Sequence, residues 1–360
     1  MTDARSRRRG SVALHVTALA LLAAAAPAVA AEAPDPLAAE IARLSAFVEG
    51  NPATGEIWTE VKAASGPVLD RAGEALRDGR RLLALQRLAA VRTDLLAAEY
   101  LLQRSEDERK KVASFEAEWT RMGGVLRDAL GPVSASALDG AKPAAVRAEG
   151  EAALLQVRTF YDSSIEYGRA TMPEAGLFYL GSAHAQRDFA AFCRGLPGGA
   201  PGRPPALRSI APEIDALNGA LLAAYRPPAS IDKHPEFITA SALLKEAREL
   251  DAAGLRYGAM LRYLEAAMRS GPLRAAGLAG GDEAVAKRLD EEGERLLEPG
   301  VDHSLGRMFL EAAQANPGSL ATAIASDVIP RYFTALAPAK PAPAPPPARV
   351  TVTLVRWPYT

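Results

Sequence analysis

Titratable and aromatic side chains concentrate in one stretch of the chain, between Thr159 and Phe189. Phenol, carboxylate, imidazole and guanidinium groups that meet at one corner between two helices could bind a small molecule or transfer a proton. Buried tyrosines with hydrogen-bonded hydroxyls between helices give the same sequence pattern, so both interpretations stay open. The candidate pocket residues are Tyr161, Glu166, Tyr179, His184 and Arg187.

Other spacings that could support catalysis lack their partner residues. Ser230 and Lys233 have the spacing of the serine and lysine in penicillin-binding enzymes, but prolines surround them and the chain has no KTG motif. His184 and Asp188 could offer two metal ligands from one helix face, without a third clustered ligand. Cys193 is flanked by phenylalanines, which indicates a small buried hydrophobe. We therefore expect no catalytic residue, no cofactor and no metal site.

The first thirty residues have the order of a secretory signal peptide. The basic stretch RSRRRG precedes an apolar run at residues 12–26, and the small-residue motif Ala28-Val29-Ala30 follows. The apolar run is shorter than the ~20 residues that a membrane-spanning helix needs. We expect residues 1–30 to be removed, and the mature protein to be periplasmic or secreted without stable membrane insertion.

The net charge argues against nucleic-acid binding, and the cysteine count excludes a disulfide within the chain. The formal net charge is −1, and removal of residues 1–30 takes away four arginines and one aspartate, which makes the charge more negative. A protein with this charge is not expected to bind nucleic acid. Cys193 is the single cysteine, so no disulfide can form within the chain and the core must be held by packing.

Helical periodicity runs through almost the whole chain. Apolar residues recur at intervals of three and four, and no alternating strand pattern occurs before residue 349, which predicts an all-α fold. Helical breaks are expected near Gly66-Pro67 and near Gly79. Ser105 and Glu108 have the spacing of a capping box, which predicts a helix that continues to about Leu130.

Proline- and glycine-rich connections divide the chain further. The predicted helical regions are residues 31–130, 144–225 and 233–336, followed by a proline-rich linker at 337–348. Residues 349–360 alternate apolar and polar side chains, which predicts a short extended segment of β type. This tail could dock on a partner or in a groove of its own chain with Trp357 as anchor, or it could be disordered.

Two segments of the chain are similar to each other. Residues 67–92 align with residues 242–267 without a gap, and seven of 26 positions are identical. The identical pairs are Leu69 and Leu244, Ala72 and Ala247, Glu74 and Glu249, Gly79 and Gly254, Arg81 and Arg256, Ala84 and Ala259, and Arg87 and Arg262.

Both segments place alanines where two helices would approach and a glycine where the chain would turn, and in this they resemble helical hairpins of the tetratricopeptide type. A regular period of ~34 residues is absent, so the resemblance implies an irregular stack of antiparallel helical hairpins, either α-solenoid-like or a helical bundle. A plain globular helical domain is the alternative. The resemblance also implies a surface that binds peptide or protein, with candidate interaction residues Arg81, Arg87, Glu249, Arg256 and Arg262.

The expected function is therefore that of a secreted or periplasmic, non-enzymatic scaffold for an unidentified protein or peptide. The alternative is a helical enzyme or small-ligand binder with its pocket near Tyr179 and His184. The first hypothesis requires a groove lined by the two similar segments. The second requires polar side chains that converge on a cavity near His184.

Overall fold

The computed structural model describes residues 35–52, 55–131, 142–169, 172–199, 202–274 and 281–336. About 81% of these residues are helical, which confirms the all-α class. The expected signal peptide (1–30), linker (337–348) and tail (349–360, with Trp357) lie outside the described residues. No helix within the described ranges is both long and apolar enough to cross a membrane.

The α-helices of the described residues fall into three groups along the chain. The first group is α1 (Pro36–Gly50), α2 (Glu56–Arg77), α3 (Arg81–Leu102), α4 (Glu106–Arg109), α5 (Val112–Val125) and α6 (Arg127–Leu130). The second is α7 (Ala144–Arg169), α8 (Pro173–Gly195) and α9 (Ala211–Ala224). The third is α10 (His234–Ala252), α11 (Arg256–Ser270), α12 (Gly281–Leu296), α13 (Ser304–Ala315), α14 (Ser319–Ala323) and α15 (Ile329–Leu336).

Four short elements lie between the helices of the described residues. A 3₁₀ turn at Ile231–Lys233 precedes α10, and a π-helical turn at Ile324–Val328 joins α14 to α15. Two-residue strands, β1 (Gly202–Arg203) and β2 (Gly300–Val301), pair in parallel. Strands of two residues are too short to leave a periodic sequence signal.

Helix α2 corrects one predicted boundary, because it continues through Pro67 where the sequence predicts a break. Proline removes one backbone hydrogen bond and crowds the preceding turn. The buried face of α2 nevertheless extends on both sides of the proline, with Trp58 before it and Leu69 and Ala72 after it. Burial of that continuous face in the core favours the unbroken helix.

The helix predicted from Ser105 to Leu130 is wrong in its length. The capping box forms between Ser105 and Glu108 as predicted, but α4 ends at Arg109. Lys111 is extended, with φ −94° and ψ 123°, and the chain starts again as α5. This break redirects the chain so that Phe115 of α5 is fully buried against α8.

Gly79 and Gly254 lie in the short turns that follow α2 and α10, as the repeat predicts. Their φ angles are +76° and +79°, a left-handed conformation that glycine adopts without steric cost. The same hydrogen bond closes both turns, from Arg80 N–H to Ala75 O (2.8 Å) and from Leu255 N–H to Leu250 O (2.9 Å). Aligned positions of the repeat therefore have the same backbone geometry.

Carboxylates that are distant in sequence cap several helix N-termini. Backbone N–H groups of a first helical turn lack partners inside the helix and need another acceptor. In α7, Ala144 N–H donates to Asp302 Oδ2 (2.6 Å) and Ala145 N–H donates to Ser304 Oγ (3.0 Å). Leu83 of α3 donates to Glu311 Oε2, and Gly258 of α11 donates to Glu151 Oε2, both at 2.9 Å.

These capping bonds fix the helices that surround the centre of the core. Helices α7 and α8 pack along each other, α3 packs on α8, and α11 packs on α7. The Leu83 to Glu311 bond ties α3 to α13, and the Gly258 to Glu151 bond ties α11 to α7. The three helical regions predicted from the sequence are thus joined by buried polar contacts.

Candidate functional site

A cavity of about 480 Å³ lies between the two similar segments, with walls from α2, α3, α7, α8, α10, α11, α13 and α14. Its apolar wall includes Val68, Leu83, Phe189, Leu243 and Met268. This volume is in the range of sites that hold a small molecule or a few peptide side chains. The shape alone therefore permits ligand binding.

A chain of side-chain hydrogen bonds crosses the inner wall of the cavity. Gln186 of α8 donates to Thr93 Oγ1 of α3 (2.9 Å) and to Gln156 Oε1 of α7 (2.5 Å). Gln156 in turn donates to Glu246 Oε2 of α10 (3.3 Å). Four helices are therefore held in register by polar groups, and both glutamines line the cavity.

Arg262 of α11 continues this network. Its Nη1 donates to Glu265 Oε2 (2.7 Å), and its Nε lies 2.9 Å from Glu246 Oε2 in an ion pair. Burial raises the pKa of Glu246, and the positive charge of Arg262 acts in the opposite direction. A single guanidinium is thus shared by two partly buried carboxylates.

Glu149 of α7 is the most deeply buried charged group of the cavity wall. Its residue is 5% exposed, and within the described ranges no group hydrogen-bonds to its Oε1. Burial raises the pKa of Glu149 to about 8, and the negative charge of Glu265 adds to this rise. The cavity therefore contains a carboxyl group whose hydrogen-bonding capacity is only partly used.

Three arginines line the cavity nearer to solvent: Arg71 of α2, Arg87 of α3 and Arg269 of α11. No carboxylate among the described residues forms an ion pair within 4.0 Å of any of the three. Arg87 Nη1 donates instead to the backbone carbonyl of Arg71 (2.5 Å). Burial and then the positive charge of Arg71 lower the pKa of Arg87, while the negative charge of Glu74 acts against this shift. This part of the cavity is suited to an anionic group.

The structure brings together two of the interaction residues that the sequence suggests. Arg87 and Arg262 stand at equivalent positions of the repeat, and both line the cavity, one from α3 and one from α11.

The other suggested interaction residues lie elsewhere. Arg81 is exposed at the start of α3, and Glu249 is exposed on α10, 4.0 Å from Lys245. Arg256 donates to the backbone carbonyl of Asp251 (2.5 Å) and lines a separate, smaller cavity of about 370 Å³. Trp357 is outside the described residues.

The candidate pocket residues divide into separate contacts. Tyr161 stacks on Trp119 with ring centroids 5.3 Å apart and donates to its backbone carbonyl (3.3 Å). Tyr179 stacks on Tyr167 at 4.8 Å. Glu166 is exposed on α7.

His184 and Arg187 do lie together, next to Asp188. Arg187 Nη2 is 3.1 Å from His184 Nε2, and His184 Nδ1 is 3.4 Å from Asp188 Oδ2. Burial lowers the pKa of His184, while the charge of Asp188 acts against this shift. None of the five suggested pocket residues lines the cavity between the similar segments. Within the described part of the chain, no group of three or more His, Cys, Asp or Glu residues is placed to hold a metal ion.

Cys193 is fully buried in the main core cluster, which confirms its prediction as a small hydrophobe. Burial raises the pKa of its thiol. A thiol in this environment stays protonated and is a poor nucleophile.

Sequence reasoning missed Glu149, Gln156 and Gln186. One signal was present, since Glu149 lies between Ala145 and Ala153 on a helix face of small residues. A charged residue on such a face is either largely exposed or has a structural or binding role that stabilises it when buried.

Comparisons with protein-family models, with curated proteins and with solved structures find no match for this chain.

Proposed function

We propose that this protein is a non-enzymatic binding protein that holds a peptide segment of a partner protein in the cavity between its two similar segments. The observation that carries the proposal is the position of Arg87 and Arg262, which are equivalent in the repeat and line one cavity. The two matching arginines then have different roles. Arg262 is paired with Glu246 and Glu265 and orders the inner wall, whereas Arg87 has no ion-pair partner among the described residues and can contact a ligand.

The proposal includes the arrangement of the helices. Helices α2 and α3 form one hairpin, and α10 and α11 form the other. The first packs on α8 through α3, and the second packs on α7 through α11. In this arrangement α7 and α8 separate two related hairpins, which gives an irregular stack with the binding cavity at its centre.

The chemistry of the cavity favours binding over bond cleavage. Its apolar wall can take an aliphatic or aromatic side chain, and its amides and guanidinium groups can hydrogen-bond a peptide. Amide and guanidinium groups do not serve as nucleophiles. The lining also includes the carboxyls of Glu149 and Glu265 and the hydroxyl of Thr239 but, among the described residues, no serine, cysteine, histidine or lysine. The set of polar groups therefore favours recognition.

Site-specific photo-crosslinking tests this proposal. A p-benzoylphenylalanine in place of Gln86, which lines the cavity, should form adducts with a defined partner peptide identified by mass spectrometry. The matched control places the same group at Arg158, on the exposed side of α7. We expect adducts from position 86 only. The same adducts from both positions, or none from position 86, would reject the cavity as the binding site.

We also propose that the protein acts outside the cytoplasm, because residues 1–30 have the pattern of a cleaved signal peptide. Terminal sequencing of the exported protein from its native host should give Ala31 as the first residue. Exported protein that retains Met1 would contradict this proposal.

A further inference from the structure

The cavity contains a buried carboxyl group without a full set of hydrogen bonds and, nearer to solvent, three arginines without an ion-pair partner among the described residues. At its inner wall, Glu149 is only 5% exposed, and no described group hydrogen-bonds to its Oε1 atom. Nearer to solvent, Arg71, Arg87 and Arg269 have no ion-pair partner among the described residues. A single ligand that satisfies both sets must carry a cation and an anion.

We propose that the cavity recognises a bipolar peptide segment, with the ammonium group of a lysine side chain on Glu149 and the carboxylate of an aspartate or glutamate on the three arginines. This inference rests on the proposed function and names the chemistry of the partner segment. The apolar wall of the cavity then contacts the methylene groups of the lysine and the peptide backbone.

The inner end attracts a cation because its own charges do not balance. Glu149, Glu246 and Glu265 surround one guanidinium, that of Arg262, which already contacts Glu246 and Glu265. Cys193, also near Glu149, is a neutral thiol. Burial keeps the proton on the Glu149 carboxyl in the free protein. When an ammonium group binds, the carboxyl releases this proton to solvent, and the carboxylate then accepts a hydrogen bond from the ammonium group at Oε1.

The outer end attracts an anion for the opposite reason. The positive charge of Arg71 lowers the pKa of Arg87, the charge of Glu74 acts in the opposite direction, and Arg269 reaches the same cavity from α11. A guanidinium binds a carboxylate with two parallel hydrogen bonds, which fixes the direction of the peptide as well as its position. The cation inside and the anion outside therefore define one orientation of the bound segment.

A random hexapeptide library tests the inference, with bound peptides sequenced after capture by immobilised full-length protein. The wild-type protein should enrich peptides that contain both a lysine and an acidic residue at a fixed spacing, at least tenfold over the input library. The variant Glu149→Gln should lose the lysine preference and keep the acidic one. The double variant Arg71→Gln/Arg87→Gln should lose the acidic preference and keep the lysine.

Two matched controls separate recognition from folding. The first is Glu166→Gln, because Glu166 lies on the same helix as Glu149 but is exposed. The second is Arg81→Gln, because Arg81 lies on the same helix as Arg87 but does not line the cavity. Both should enrich the same peptides as the wild type. Circular dichroism melting curves establish that each variant is folded before its enrichment is compared.

The outcomes distinguish the two proposals. Enrichment of peptides without a lysine preference, or a lysine preference that survives in Glu149→Gln, overturns the bipolar assignment and leaves peptide binding intact. Enrichment of lysine alone, with no acidic residue, overturns the role of the arginines. No enrichment by any folded form overturns the proposed peptide-binding function itself.

Discussion

Glu149 is the residue on which most of the account depends, because burial gives it properties that its position in the sequence does not reveal. An ionised carboxylate deep in a protein is costly unless it is paired with a cation. A buried carboxyl without such a partner therefore holds its proton more tightly, which raises its pKa. Arg262 is near, but it already contacts Glu246 and Glu265. The cavity wall thus contains a carboxyl group whose Oε1 has no hydrogen-bond partner among the described residues, so a ligand can bind there.

The replacement Glu149→Gln tests this description through the pH dependence of stability. Burial raises the folded-state pKa of Glu149 from its ordinary value of 4.5 to about 8, so the folded protein binds more protons than the unfolded chain between these values. The stability associated with this proton is present at low pH and is lost as pH rises towards 8. Glutamine cannot ionise, so its contribution to the free energy of unfolding does not change with pH.

Urea denaturation at pH 5, 6, 7 and 8 measures the effect. The free energy of unfolding of Glu149→Gln minus that of the wild type should increase with pH, on the order of 2–4 kcal/mol in total. Glu166→Gln, exposed on the same helix, should show a constant difference near zero. Parallel curves for Glu149→Gln and wild type would mean that Glu149 is not buried as described.

At the same scale, the sequence identifies Arg87 and Arg262 as candidates but not Glu149. The arginines appear because the repeat matches them, and a repeat can be found in a single chain. The burial of Glu149 depends on the side of α7 that faces α11, and many helix rotations suit a helix with alanines on several faces. Residue types alone do not fix that rotation.

Helix capping is the main finding at the scale of elements. Helices α3, α9 and α11 have no side-chain hydrogen bond from their own N-cap residues. Acceptors come instead from Glu311, Asp251 and Glu151, which are 228, 41 and 107 residues away from their donors. Sequence patterns identify local caps such as Ser105, whereas distant caps arise only when the fold brings the carboxylate to the helix end.

The substitution Asp302→Ala should destabilise the protein by ~1–3 kcal/mol, because it leaves two buried N–H donors, those of Ala144 and Ser304, without an acceptor. Asp290→Ala, on the exposed side of α12, should change the free energy of unfolding by less than ~0.5 kcal/mol. Chemical denaturation of both variants measures the difference. Equal stabilities would show that the N-terminus of α7 does not depend on Asp302.

Glycine replacements test the two similar turns. Gly79→Ala and Gly254→Ala should each lower the free energy of unfolding by ~1–2 kcal/mol, because an alanine at φ near +78° is strained although space is free around the new Cβ. Gly66→Ala is the matched control, within α2 and with only an ordinary contact to Val48, and should raise stability by ~0.5–1 kcal/mol. Stabilisation by Gly79→Ala would contradict the left-handed turn.

Element boundaries could be predicted where a local signal decides them. The helical regions predicted to begin at residues 144 and 233 start with α7 at Ala144 and α10 at His234, within one residue of those limits. Pro67 shows the limit of such signals, because burial on both sides of it keeps α2 continuous. The break at Lys111 shows the converse, since a region with a strong start signal and no breaker still bends to bury Phe115.

For the molecule as a whole, the sequence predicts the all-α class and the repeat but not the cavity. The cavity forms only when α3, α7, α8 and α11 are packed together, and those contacts join residues far apart in the chain. The suggested pocket near Tyr179 and His184 rests on a local concentration of polar residues. The fold spreads those residues over several separate contacts.

Binding of a peptide in the cavity is tested most directly by calorimetric titration, with a peptide identified by photo-crosslinking or by library selection. The titration compares wild-type protein with the variants Ala90→Trp and Ala64→Trp. Ala90 is exposed on α3 and lines the cavity, so a tryptophan there should obstruct the opening without disturbing the core. Ala64 is exposed on α2 and does not line the cavity. We expect at least tenfold weaker binding by Ala90→Trp and unchanged binding by Ala64→Trp. Equal affinities for all three folded proteins would contradict binding in this cavity.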